Sequence, residues 1–200
     1  MTAIQQSLLL PPVPPAKRRL VPRRNGSIHD LVVTPDALAA RIVDLFKPSG
    51  VLLDPARGSG PFFRALERYS NDVRWCEQAA GLDFFAFHEP VDWIITNPPW
   101  SKMRQFIRHA MTLAPNIVFV GTVSHFMLKA RLRDMRDAGY GLQLTLFDQP
   151  PKPWPGSGFQ PAIGYLRKDG PFPFSWLPEL ARQSPLREIR SARREVSATV

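Results

Sequence analysis

An α/β fold with a mostly parallel sheet is predicted for this chain by three features of its sequence. Short apolar runs recur (VLL at 51–53, IIT at 94–96, NIVFV at 116–120), amphipathic stretches separate them, and glycine or proline marks the junctions. Runs that are apolar without polar alternation suit strands covered on both faces, as a parallel sheet requires.

The elements follow in order. Thr34-Pro35 opens a helix through about Phe46, with the threonine as N-cap and the proline at the first helical position. Val51-Leu52-Leu53 is a buried strand, followed by the loop DPARGSG and a helix from Pro61. Val73–Cys76 is a second strand, and residues 91–95 a third. Ser101–Leu113 carries Met103, Phe106, Ile107 and Ala110 on one helical face. A strand at Asn116–Val120 and a helix at 125–138 come next. Two final strands, Leu142–Phe147 and Ala162–Leu166, flank the loop DQPPKPWPGSGFQP.

Composition bounds the rest. The chain has 200 residues, 44% of them hydrophobic, which suits one domain with a true core. Residues 27–170 carry the alternating pattern. Residues 1–26 are proline-rich and basic (Lys17, Arg18, Arg19, Arg23, Arg24) and read as a disordered tail, either tracking phosphates or merely solubilising. Residues 171–200 read as a basic extension ending in one short helix, its arginines interleaved with acids. A net charge of +9 suggests an anionic partner, nucleic acid before membrane. The single cysteine, Cys76, excludes a disulfide framework and reads as a small core residue; the four histidines show no ligand spacing, so no metal is expected. No apolar run approaches the ~20 residues of a membrane span. Leu8-Leu9-Leu10 is too short for a signal core, and a cytoplasmic protein is expected. Oligomeric state is left open.

In such a sheet, ligands bind at strand carboxyl ends near the point where strand order reverses. Three loops leave such ends. In DPARGSG, Gly58 and Gly60 let the backbone turn close to a ligand, and Asp54 adds a carboxylate suited to a cationic group. In RWCEQ, Glu77 either accepts ribose hydroxyls or is simply solvated. In NPPW, Asn97 offers a side-chain carbonyl while Pro98 and Pro99 stop the strand and lock the next backbone carbonyl. Two converging acceptors suit an –NH₂ group, and Trp100 would cover the planar group that carries it. Accepting both hydrogens localises a lone pair that conjugation had spread, which stabilises the transition state through fixed dipoles.

With these motifs the sequence resembles the class I S-adenosylmethionine-dependent methyltransferases, of the type that acts on adenine N6. The similarity spans residues 31–168: VVTPDALAARIVDLF before the cofactor loop, VLLDPARGSG as that loop, RWCEQ, GLDFF, DWIITNPPW as the [DNS]PP[YFW] element, and QPAIGYLRK as a late strand. It implies a Rossmann-like fold with helices on both faces of the sheet, using S-adenosyl-L-methionine. It places Thr34, Asp54, Pro55, Gly58, Gly60, Glu77, Asp83, Phe84 and Asn97 around that cofactor. The target amine falls to Asn97, Pro98 and Pro99, and the base to Trp100, with Phe159, Lys102 and Arg104 as further substrate contacts; Trp154 is a lesser candidate for the second pocket wall. Arg57 departs from the family's usual small residue or cysteine, so it either pairs with the cofactor carboxylate, reshapes the loop or blocks it. Glu77 and Asp83 stand only six positions apart, so the fold is expected to be abbreviated between the second strand and the catalytic strand. Methyl transfer to adenine N6 in DNA is the expected function. RNA adenine or protein glutamine methylation, and a non-catalytic nucleic-acid binder, are the alternatives.

Overall fold

The computed structural model describes residues 33–149, 154 and 158–175. Its elements run α1 (Asp36–Phe46), β1 (Leu52–Asp54), α2 (Pro61–Leu66), β2 (Val73–Trp75), β3 (Trp93–Thr96), α3 (Met103–Ala110), β4 (Asn116–Thr122), α4 (Val123–Met127), α5 (Lys129–Asp137), β5 (Tyr140–Leu146) and β6 (Pro161–Lys168). The strands form one sheet in the order β2-β1-β3-β4-β6-β5. β2, β1, β3 and β4 are parallel, whereas β6 is antiparallel to both β4 and β5. The predicted α/β architecture is thus observed.

Successive strand residues point to opposite faces, and both faces are covered. Leu53, Ile94, Ile117 and Phe119 meet Met103, Phe106 and Ile107 of α3 and Leu132 and Met135 of α5. Leu52, Ile95, Val118 and Val120 meet Ile42 and Val43 of α1 and Phe62 and Leu66 of α2. Each such side chain contributes roughly 1.5–3 kcal/mol on burial. That is why these strands are continuously apolar.

The path of the chain creates the crevice. From β1 it crosses to β2 at the sheet edge, then returns past β1 to β3. The order reverses between β1 and β3, so the segments that follow them lead to helices on opposite faces, α2 on one and α3 on the other, which is where ligands bind in such folds. Between β2 and β3 the chain makes only two short 3₁₀ turns, Gln78–Ala80 and Phe84–Ala86, and a bridge between Glu77 and Leu82. This is the abbreviation that the short Glu77–Asp83 spacing predicted.

Several boundaries differ from expectation. α1 starts at Asp36 with Pro35 as its N-cap and no side-chain cap, because the Thr34 hydroxyl is committed to Asn97 instead. The helix expected over 101–113 begins as a 3₁₀ turn at Trp100–Lys102 and is α-helical from Met103 to Ala110. The helix expected over 125–138 is two helices, broken where Leu128 turns extended (ψ 136°). α4 starts early because Thr122 caps it: its amide donates to His125 Nδ1 at 3.1 Å. Gly164 of β6 lies under the Phe126 ring, where a Cβ would approach ring carbon at 2.4 Å.

The tail at 1–26 and residues 176–200 of the extension lie outside the described residues. Phe172 and Phe174, just past the expected boundary at residue 170, pack against the α3–α5 side of the core. Among the described residues, no helix is long and apolar enough to cross a membrane.

Candidate active site

Asp54 ends β1 and is fully buried. Its Oδ1 accepts the Thr96 hydroxyl at 2.7 Å and the Ala56 amide at 3.4 Å. Its Oδ2 is buried with no hydrogen-bond partner among the described residues. Burial pushes the carboxyl pKa up to about 6, against the opposing pull of the Thr96 hydroxyl, the Ala56 and Phe63 amides and the Arg57 charge. A desolvated carboxylate with an unpartnered oxygen gains strongly from a cationic hydrogen-bond donor.

Asn97 follows β3 directly. Its Nδ2 donates to Thr34 Oγ1 at 3.1 Å, and its Oδ1 accepts from Trp100 Nε1 at 3.1 Å. These two contacts define which way the amide points. The buried Pro98 then ends the strand and the chain turns through Trp100–Lys102. The Trp100 ring lies 5.2 Å from His125, tilted by 58°, and 6.0 Å edge-on from Trp154. Trp154 is itself nearly buried, and its Nε1 donates to the Val33 carbonyl at 3.0 Å.

On the other side of Asp54, Glu77 ties the glycine loop to the end of β2. Its Oε2 accepts the Gly58 amide at 2.7 Å and its Oε1 the Ala79 amide at 3.0 Å. Gly58 and Gly60 both have left-handed backbone (φ 51° and 89°), and Pro55 is buried at the start of the turn. Such φ values disfavour any side chain. The Arg57 guanidinium lies between the rings of Phe63 (4.8 Å) and Trp75 (4.7 Å). Its Nε is buried without a hydrogen-bond partner among the described residues, so aromatic faces hold it in place of a carboxylate. Trp93 stacks on Tyr165, ring centroids 5.8 Å apart.

Other predicted site residues are placed elsewhere. Phe84 is turned into the core against Phe106 (4.9 Å) and His109 (4.7 Å), so its ring does not line the crevice. Asp83 is exposed and accepts the Phe85 amide at 3.1 Å, capping its turn. Arg104 is gripped by Asp134 at 2.7 and 3.1 Å, a structural tie between α3 and α5 and not a free substrate contact. Lys102 Nζ reaches Gln78 Oε1 at 3.5 Å. Phe159 is 60% exposed, and the aromatic neighbours of Trp100 are His125 and Trp154. Burial, with Asp54 and Asp83 nearby, pushes the Cys76 thiol up to about 12, which removes it as a nucleophile. Among the described residues no group of three His, Cys, Asp or Glu side chains is placed to hold a metal.

Two participants were missed at the sequence level. Thr96 supplies the hydroxyl on Asp54 and His125 walls Trp100, while Thr34, expected beside the cofactor, anchors Asn97 in place of capping α1. Thr96 had a legible signal, a polar residue ending an otherwise apolar strand beside Asn97. His125 had none, since no spacing links it to NPPW.

No protein-family model matches the sequence, and no curated protein is significantly similar to it. Solved structures do match in three dimensions. One is a Listeria monocytogenes protein assigned to the class I S-adenosylmethionine-dependent methyltransferases, with TM-score 0.52 and 13% identity over 84% of this chain and 72% of that one. Another is the 23S rRNA methyltransferase ErmE, with TM-score 0.51 and 14% identity over 72% of both chains. The fold is therefore that of the class I methyltransferases, whose methyl donor is S-adenosylmethionine.

Proposed function

We propose that the chain transfers a methyl group from S-adenosylmethionine to the N6 amine of adenine in nucleic acid, with DNA the first expected substrate. The observation that carries this proposal is the adjacency of two features at the ends of neighbouring strands. Asp54 holds a buried carboxylate oxygen without a hydrogen-bond partner among the described residues at the end of β1, and Asn97 presents an anchored amide at the end of β3, with Trp100 beside it.

The residues fit the donor. Its ammonium group suits the unpartnered Asp54 Oδ2, and its ribose hydroxyls suit the remaining lone pairs of Glu77. Gly58 and Gly60 keep the loop low enough for close approach. When bound, the donor supplies a methyl group already activated as a sulfonium. The protein therefore has to activate the amine. Asn97 Oδ1 and the Pro98 carbonyl accept its two hydrogens, drawing the nitrogen toward tetrahedral geometry and localising its lone pair. Trp100 stacks on the base, which in a duplex must first leave the helix.

RNA is the second reading, favoured by the shared fold with an rRNA methyltransferase. The test is transfer of labelled methyl groups to unmethylated DNA and RNA oligonucleotides, followed by nucleoside analysis, with Asn97→Ala in parallel. N6-methyladenine from the wild type, and little from the variant, is expected. A wild type that binds S-adenosylhomocysteine yet labels no adenine in either polymer would overturn the adenine assignment.

A further inference from the structure

A second concentration of charge lies outside the clamp, where α3 packs on α5. Arg104, Arg108 and Arg131 all act on one carboxylate, Asp134, and hold it below the usual carboxylate range, Arg104 most strongly. One carboxylate cannot balance three guanidinium groups, so two positive charges are left over. Lys129 opens α5, two positions before Arg131, in a first turn with no acidic residue.

Arg131 is the unusual member. It is partly buried, its Nε has no hydrogen-bond partner among the described residues, and its Nη1 makes one long bond to the Ser124 carbonyl at 3.3 Å. Desolvation, then the neighbouring Arg104 charge, lowers its pKa. Exposed Arg108 is explained as a solvated surface residue. Arg131 is not, because its Nε is buried without a hydrogen-bond partner among the described residues and its one nearby carboxylate, Asp134, is gripped by Arg104.

The cluster adjoins the clamp through α4. Arg131 bonds to Ser124, whose hydroxyl meets Thr122 Oγ1 at 2.9 Å, and the next residue, His125, walls Trp100. A base drawn into the clamp brings its flanking phosphates with it. We propose that Arg131, Arg108 and Lys129 form a phosphate seat for the strand whose base enters the clamp. The seat rests on the reading that the substrate is a nucleic acid. It reads charge and not sequence, and Arg104 contributes by holding Asp134 in place.

The test is binding of fluorescent single-stranded DNA and RNA oligonucleotides over a range of salt, with S-adenosylhomocysteine binding measured alongside. The proteins are wild type, Arg131→Gln, the exposed double variant Arg108→Gln/Lys129→Gln, and Arg136→Gln as a control at the far end of α5, where Arg136 pairs with Asp137. The double variant should lose about tenfold in affinity near 0.1 M salt, equally across sequences, and the slope of log K against log salt should flatten by about 1. Arg131→Gln should lose at least as much, and Arg136→Gln nothing. Wild-type affinity and slope in both test variants, with S-adenosylhomocysteine still bound, would overturn the seat and leave the methyltransferase reading standing. A wild type that binds neither polymer would overturn both.

Discussion

Trp100 Nε1 donates a 3.1 Å hydrogen bond to Asn97 Oδ1, so the proposed stacking platform and the proposed amine acceptor are joined to each other. The carbonyl has two lone pairs, and the indole uses one. The amide cannot rotate because Nδ2 is held by Thr34, so the carbonyl keeps one direction. The clamp is preorganised by its own members.

On the proposed function Trp100 has two separable roles. Trp100→Ala should raise KM for the nucleic acid by about 10–100-fold, since stacking on one base is worth ~1–3 kcal/mol. Trp100→Phe keeps a flat face and loses the donor, and its KM should stay within about fivefold of wild type. Equal losses in the two variants would show that the indole N–H, and not the face, matters.

Thr34 is buried, and its hydroxyl is the anchor of the Asn97 amide. Asn97→Ala should lower kcat by about 100-fold or more, the scale for removing one preorganised group that stabilises developing charge. Thr34→Val removes the anchor without changing volume much and should lower kcat by about tenfold through misplacement, with Thr34→Ser restoring it. Steady-state kinetics separate these outcomes from mere unfolding, because helix content and Tm should be preserved.

Asp54 makes a pH prediction whose sign is unusual. Its folded pKa, raised to about 6 by burial, exceeds the ordinary 3.8 of the unfolded chain. Between those values the folded state holds a proton that the unfolded state has released, so stability falls as pH rises from about 4 to about 6 and is flat above. At neutral pH the charge costs on the order of 2–3 kcal/mol. Asp54→Asn should raise Tm by several degrees at pH 7.5, with the gap closing near pH 4. The same variant should bind S-adenosylhomocysteine at least about tenfold more weakly, and wild-type affinity should decline as pH drops below about 6. A thermal melt series across pH, read beside calorimetric binding, checks both halves.

Arg57 should be a structural part of the loop and not a plug. It lies between Phe63 and Trp75, and two cation–aromatic contacts are worth roughly 1–3 kcal/mol in partial burial. Arg57→Ala should lower Tm by a few degrees and leave S-adenosylhomocysteine affinity within about threefold. A marked gain in affinity would mean that the side chain obstructs the site.

Much of the fold was legible because local pattern and global burial agree here. Continuous runs such as Ile94-Ile95 and Ile117–Val120 have one stable use, as strands covered on both faces. Boundaries were less legible wherever a side chain had two possible partners. Thr34 looked like a helix cap by sequence neighbourhood, yet bonds Asn97, 63 residues away. Arg104 sits four residues past Trp100 and looked available for substrate, until α5 brought Asp134 against it. Phe84, within GLDFF, went to the core because Phe106 and His109 offered its ring more buried contact than a crevice would.

By itself the sequence determined the alternation of strands and helices, the three loops at strand ends, and the residue types that favour a methyl donor and an aromatic amine. These follow from periodicity, backbone restriction at Gly and Pro, and the chemistry of individual side chains, all of which are local. The tertiary structure alone decided which of those groups face one another: Thr96 on Asp54, His125 and Trp154 around Trp100, and three arginines around Asp134. Such pairings depend on strand order and helix docking, which bring residues far apart in the chain to within a few ångströms. The raised pKa of Asp54 arises in the same way, from burial that no stretch of DPARGSG encodes alone.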